Sequence, residues 1–131
     1  VAGDVLGRDD ECHTIHAVLD AARRGLSGAL VIQGDAGMGK TTLLEFAVGS
    51  AHGMHVLRLA GIESESEFGY AALHRLLSPS LAAADGLPAR QRDALESCFG
   101  VVGNAPADRF VVGLAALSLL AAVAARQPLL C

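Results

Sequence analysis

From Asp9 to Arg24 the apolar side chains fall at Cys12, Ile15, Val18, Leu19 and Ala22, spacings of three and four that place them on one helical face. Asp9, Asp10 and Glu11 suit the positive end of the dipole of that helix, Arg23 and Arg24 suit its negative end, and Gly25 offers a stop. After Gly25-Leu26-Ser27-Gly28, the segment Ala29–Gln33 is almost continuously apolar, as expected of a strand buried on both faces in a parallel sheet. Helical spacing returns from Thr41 to about Ala51 through Leu43, Leu44, Ala47 and Val48, and His52-Gly53 marks its end. His55–Leu59 then reads as a second strand. Strand, glycine-rich turn, helix and strand within roughly thirty residues make a β-α-β unit, whose crossover is right-handed. The pattern predicts an α/β fold.

Downstream, Phe68–Leu77, with Tyr70, Leu73, Leu76 and Leu77, and Pro88–Phe99 read as helices separated by Ser78-Pro79 and by the Asp85-Gly86-Leu87-Pro88 turn. Asp108 is placed to cap a helix running to about Arg126. Its apolar run, Phe110–Ala125, is shorter than the roughly 18 to 20 residues that span a bilayer and is interrupted by Gly113 and Ser118, so it reads as a buried helix. Gln127–Cys131 resembles the entry to a third buried strand, since proline is tolerated at a strand start and two leucines follow. The sequence stops where that strand should grow and opens on valine, so the expectation is an N-terminal piece of a longer polypeptide.

Composition narrows the class. The chain has 131 residues, 52% hydrophobic and 18% charged, with a net charge of −4, which bounds it to one globular domain or less and excludes a disordered or collagen-like chain. Cys12, Cys98 and Cys131 are odd in number and form no C-x-x-C pair, so neither a disulfide framework nor a zinc ribbon is indicated, and a reducing cytoplasm fits. Scattered arginines in a mildly acidic chain give no footprint for nucleic acid or an anionic membrane. No basic segment precedes an apolar core at the N-terminus, so no secretory signal is read there. Lysine occurs once, at Lys40, and that position calls for a reason.

The reason is the segment around it. Gly34-Asp35-Ala36-Gly37-Met38-Gly39-Lys40-Thr41 matches G-x-x-x-x-G-K-[ST], the phosphate-binding P-loop, between an apolar run and an amphipathic helix. Gly34, Gly37 and Gly39 are expected to let the backbone curl so that successive N–H groups face an anion. Asp35, Ala36 and Met38 would contribute backbone amides, and the helix start adds its unpaired N–H groups and dipole. Lys40 would reach the β and γ phosphates, and the Thr41 hydroxyl would ligate Mg²⁺.

Hydrolysis requires more: a carboxylate at the end of another strand to hold Mg²⁺ and a group that orients water. No apolar strand ending in Asp or Glu is visible. Glu63, Glu65 and Glu67 follow the second strand on the ligand-binding side of an open α/β sheet, but a solvated loop leading into a helix explains them better. Cys12, His13 and His16 do not form a convincing metal set, because Cys12 and His16 share the face of Ile15 and Leu19 and no fourth ligand is evident. His52, His55 and His74 are isolated, and no G-x-S-x-G accompanies the serines.

The sequence resembles the N-terminal ATPase modules of large bacterial LuxR-type transcriptional regulators, within the AAA-like and STAND class of P-loop NTPases. The resemblance is carried by Val5-Leu6-Gly7-Arg8-Asp9-Asp10-Glu11, Gly34–Thr42, Gly61-Ile62-Glu63-Ser64-Glu65 and Tyr70–Leu77, then by Ala107-Asp108-Arg109-Phe110 and Gln127-Pro128-Leu129-Leu130. It implies a partial three-layer P-loop NTPase fold with parallel strands flanked by helices, residues 1–131 forming the first part of one such domain. It also implies ATP with Mg²⁺ on Gly34 to Thr42, Thr41 as metal ligand, and Leu6, Gly7 and Arg8 near the adenine and ribose. In similar proteins the Walker B strand would follow Cys131, within a strand order of 5-1-4-3-2, and a helical lid and a C-terminal helix-turn-helix lie further on. The implied function is nucleotide-dependent switching in a cytoplasmic regulator, a weak ATPase when whole, with the present segment binding but not hydrolysing ATP. Two other classes remain open: a P-loop kinase of small molecules, and a nucleotide-binding scaffold.

Overall fold

The computed structural model describes residues 7–63, 70–100 and 108–131. The chain forms two compact units, one built from the residues up to Val56 together with Gln127–Leu130, the other from Leu57–Arg126.

In the first unit, helix α1 spans Asp9–Arg23, with Asp9, Asp10 and Glu11 in its first turn and Arg23 in its last. Gly25 ends it at φ +81. The Gly25 amide donates to Ala22 O and the Leu26 amide to Ala21 O, both at 3.0 Å, which is the Schellman arrangement of a helix terminus. The predicted stripe is the buried one: Ile15 and Leu19 are 3% and 2% exposed. They share a core with Leu43, Ala51 and Met54, and Cys12, Ala22, Ile32, Phe46, Ala47, Val56 and Leu130 pack against it. Helix α2, Lys40–Ser50, supplies Leu43, Phe46 and Ala47.

Arg23 ties the far ends of the two helices together. Its Nη2 donates to Ser50 O at 2.6 Å and its Nη1 meets Asp20 Oδ1 at 2.7 Å. A cation on the carbonyls that end α2 is favourable to that helix dipole.

Strand β1, His55–Val56, and strand β2, Leu129–Leu130, pair in parallel, with His55 opposite Leu129 and Val56 opposite Leu130. The expectation of strand structure at Gln127–Cys131 therefore holds at its two leucines. Two other strand expectations need correction. The second strand stops at Val56 rather than Leu59, because β2 offers ladder partners only to His55 and Val56. Ala29–Gln33 is not a buried strand: it pairs with no other segment among the described residues, and Leu30 and Val31 are 44% and 75% exposed. Only Ile32 of that run joins the core. Among the described residues the partial three-layer fold that is expected is represented by a two-stranded parallel sheet, with α1 and α2 packed in the same core as its strands.

In the second unit, helix α3 spans Ala71–Leu77, the expected start at Phe68 lying outside the described residues, and it runs into a 3-10 helix, Ser78–Gly86, in place of a break at Ser78-Pro79. Pro79 lies in its first positions, where a missing N–H costs nothing. Helix α4 spans Ala89–Cys98 and helix α5 Arg109–Ala124. Asp108 caps α5, its Oδ1 accepting from the Phe110 amide at 2.9 Å. Leu77, Leu87, Leu95, Val112, Ala115, Ala116 and Leu119 form the core of this unit. The apolar run of α5 is buried on one side only: Leu119 is fully buried while Phe110 and Leu117 are 77% and 67% exposed. No helix among the described residues is long and apolar enough to cross a membrane.

Candidate phosphate-binding site

The segment from Gly34 to Gly39 carries the chain into α2 through two left-handed residues, Gly37 at φ +81 and Gly39 at φ +77. A Cβ at either position would force a conformation that L-residues rarely adopt, so the chain needs glycine at both for backbone reasons. Gly34 is different. Its φ is not in that region, and an added Cβ would meet only the Met38 Cβ at 3.6 Å, an ordinary contact. The expectation that all three glycines serve one conformational purpose is corrected at Gly34.

Gly39 is the N-cap of α2 and contributes no side-chain cap, and the first turn carries no acid. The first amide of the helix interior to find a backbone acceptor is that of Leu43, which donates to Gly39 O at 3.2 Å. The amides of Lys40, Thr41 and Thr42 thus lack acceptors within the helix, the condition under which a helix start attracts an anion. Thr41 and Thr42 are exposed at this end. Met38 N–H donates to Asp35 O at 3.3 Å and closes the loop into a turn.

Lys40 folds back over the loop. Its Nζ donates to Gly34 O and to Asp35 O, each at 2.7 Å. An ammonium held by two loop carbonyls can exchange them for a phosphate oxygen, gaining a full negative charge as partner.

Arg8 reaches the same loop from the start of α1. Its Nη2 donates to Met38 O at 2.7 Å, and its Nη1 pairs with Glu11 Oε1 at 2.9 Å. The structure therefore brings Arg8 to the loop backbone. Gly7, next to it, is left-handed at φ +75, and Leu6 lies outside the described residues. The backbone at the start of α1, and then Arg8, hold the Glu11 carboxyl below its ordinary pKa. Sequence reading missed the Arg8–Met38 contact, although the i, i+3 spacing of Arg8 and Glu11 announces their pairing.

Glu63 is exposed, and Glu65 and Glu67 lie outside the described residues. The ring of His16 sits edge-on against Phe46 at 5.1 Å, which gives it a packing role, and His74 lies against Phe99 at 4.6 Å. No cluster of three or more His, Cys, Asp or Glu able to hold a metal occurs among the described residues.

A glycine-bent loop, a helix start without side-chain cap or acid, and a lysine bonded back to the loop carbonyls define a P-loop of the nucleotide-binding kind. Residues 4–130 match the AAA ATPase domain family, and the chain belongs to it. That membership carries the P-loop NTPase fold class and the nucleotide-binding ATPase character. No curated protein and no solved structure gives a match.

Proposed function

We infer that this chain is the nucleotide-binding part of a regulatory ATPase of the STAND type, in which bound ATP serves as a conformational signal. The observation that carries the reading is the Lys40 ammonium, hydrogen-bonded back to Gly34 O and Asp35 O of the loop at 2.7 Å each. Lys40 would exchange these two carbonyls for the charged oxygens of a triphosphate held at residues Gly34 to Thr42, releasing the loop carbonyls. The loop is also joined to α1 through Arg8, so a rearrangement there has a route into the helix that precedes it. A ligand that contacts two states differently biases their populations, which is the physical content of a nucleotide switch.

ATP is the nucleotide and Mg²⁺ its counter-ion in this reading. Thr41, exposed at the start of α2, would offer its hydroxyl to the metal, which would neutralise phosphate charge there. In this reading Leu6, Gly7 and Arg8 would contribute to the adenine and ribose side of the site, of which Arg8 already touches the loop at Met38 O. The LuxR-type parentage rests on the Leu6-Gly7-Arg8, Glu63-Ser64-Glu65 and Tyr70–Leu77 segments. It places the protein in the cytoplasm, with the partners of this segment being ATP and the remaining parts of a regulator polypeptide.

The test is titration of Mg·ATP into the protein and into its Lys40→Ala variant. Micromolar binding by the wild type, weakened at least about tenfold by loss of the ammonium, supports the reading. Equal affinity in the two proteins refutes it. ADP formation that rises only when a small-molecule acceptor is added would replace the switch with a kinase.

A further inference from the structure

The Met38 carbonyl that accepts from Arg8 is one half of a peptide unit whose other half is the Gly39 amide. No peptide bond among the described residues is cis. In a planar trans peptide the C=O and the N–H point in opposite directions, so anchoring the oxygen on one side fixes the N–H on the other. Gly39, at φ +77, has little preference of its own, because glycine occupies positive and negative φ about equally. The Met38–Gly39 peptide is thus a part of the loop whose orientation depends on an outside contact, and the Arg8 Nη2 bond at 2.7 Å is that contact.

We propose that Arg8 and Glu11 form a clamp that orients the Met38–Gly39 peptide and aims the Gly39 N–H into the phosphate nest. Both are positioning residues for nucleotide, and Glu11 acts through Arg8. This inference rests on the reading of the loop as a nucleotide site. The planar guanidinium suits the task, since it serves two acceptors from a fixed fork: Glu11 Oε1 at 2.9 Å through Nη1 and Met38 O through Nη2. Glu11 in turn is fixed on the first turn of α1, so the clamp transmits the register of a packed helix to the loop.

A second arginine offers the control. Arg23 pairs with Asp20 at the same i, i+3 spacing but donates to Ser50 O and His52 O at the other end of α2, away from the loop.

The experiment uses the whole chain in five forms: wild type, Arg8→Ala, Glu11→Ala, the double variant and Asp20→Ala, with Arg8→Lys kept in case truncation impairs folding. Two readouts are taken, the Kd for Mg·ATP and, without nucleotide, the amide resonance and hydrogen exchange of Gly39. Arg8→Ala is expected to weaken binding about tenfold and Glu11→Ala about threefold, with the double variant no weaker than Arg8→Ala alone. Arg8→Lys, which keeps the charge and loses the fork, behaves as Arg8→Ala, and Asp20→Ala binds as wild type. The Gly39 amide shifts and exchanges faster in each loop variant but not in Asp20→Ala. A Glu11 effect that persists in the Arg8→Ala background would mark a helix-start role and overturn the clamp, as would an unmoved Gly39 amide in Arg8→Ala. If the wild type binds no ATP while Gly39 responds as described, the nucleotide reading fails and the clamp stands.

Discussion

The three loop glycines look equivalent in the motif, yet the structure separates them, and replacing each by alanine measures the separation. Alanine in place of any glycine removes freedom from the unfolded chain and so stabilises by about 0.4–1 kcal/mol, a contribution common to the three sites. At Gly37, φ is +81 and an added Cβ has nothing within 4 Å, so the opposing cost is backbone strain alone, about 1–2 kcal/mol. At Gly39, φ is +77 and the nearest atom to an added Cβ is Thr42 Oγ1 at 4.0 Å, so strain again sets the cost. At Gly34 there is no positive φ, and the Met38 Cβ at 3.6 Å is an ordinary neighbour. Gly34→Ala is therefore expected to be neutral or slightly stabilising. Gly37→Ala and Gly39→Ala should lie about 1–2 kcal/mol below it, a difference from which the unfolded-state contribution cancels. Urea unfolding of the three variants at one temperature gives the differences. Strain in a loop that opens locally escapes the global unfolding free energy, so the Kd for Mg·ATP is measured beside it. Gly34→Ala destabilising as much as Gly37→Ala in both assays would refute the reasoning.

Four further outcomes are expected. Leu119→Ala, at a fully buried site in the second unit, should cost about 2–4 kcal/mol of unfolding free energy, while Leu117→Ala, 67% exposed on the same helix, should cost under about 1, as read by chemical denaturation. Asp108→Ala should lower stability by about 1 kcal/mol through loss of the bond from the Phe110 amide, and Asp108→Asn should restore most of it in the same assay. The Glu11 carboxyl has a folded-state pKa below its ordinary value, so its contribution is present above the unfolded pKa and is lost as the pH falls through the folded one. The Tm difference between wild type and Glu11→Gln should therefore shrink in acid, and a constant difference would contradict the assignment. Val31→Lys should slow aggregation on mild heating, followed by light scattering, because Val31 is 75% exposed within an apolar run.

Much of the local structure was legible because local rules govern it. The helix over Asp9–Arg23 follows from apolar spacing, acids at one end and a glycine stop, and each of these has its physical counterpart in the structure: Ile15 and Leu19 buried, Glu11 in the first turn, Gly25 at φ +81. The Asp108 cap was equally readable, as a short acceptor side chain just ahead of an apolar run. The P-loop was legible for a stronger reason, since phosphate binding is done by backbone amides and only a few residue types let the backbone present them. Ala29–Gln33 forms no ladder among the described residues because an apolar run records only a capacity to pair. A strand needs a partner, and its partner is set by segments remote in sequence.

Spacing, capping and glycine placement act within a few residues, so they alone fix where α1, α2, α4 and α5 run, where the phosphate loop lies and that Lys40 belongs to it. The tertiary structure decided which of these pieces meet. It paired His55 with Leu129 and Val56 with Leu130 across more than seventy residues of intervening chain. It also put Arg8 against Met38 O and Arg23 against Ser50 O, and it showed that Gly34 lacks the backbone conformation of Gly37 and Gly39. Such contacts depend on how α1 packs on α2, and no rule of local spacing encodes that geometry.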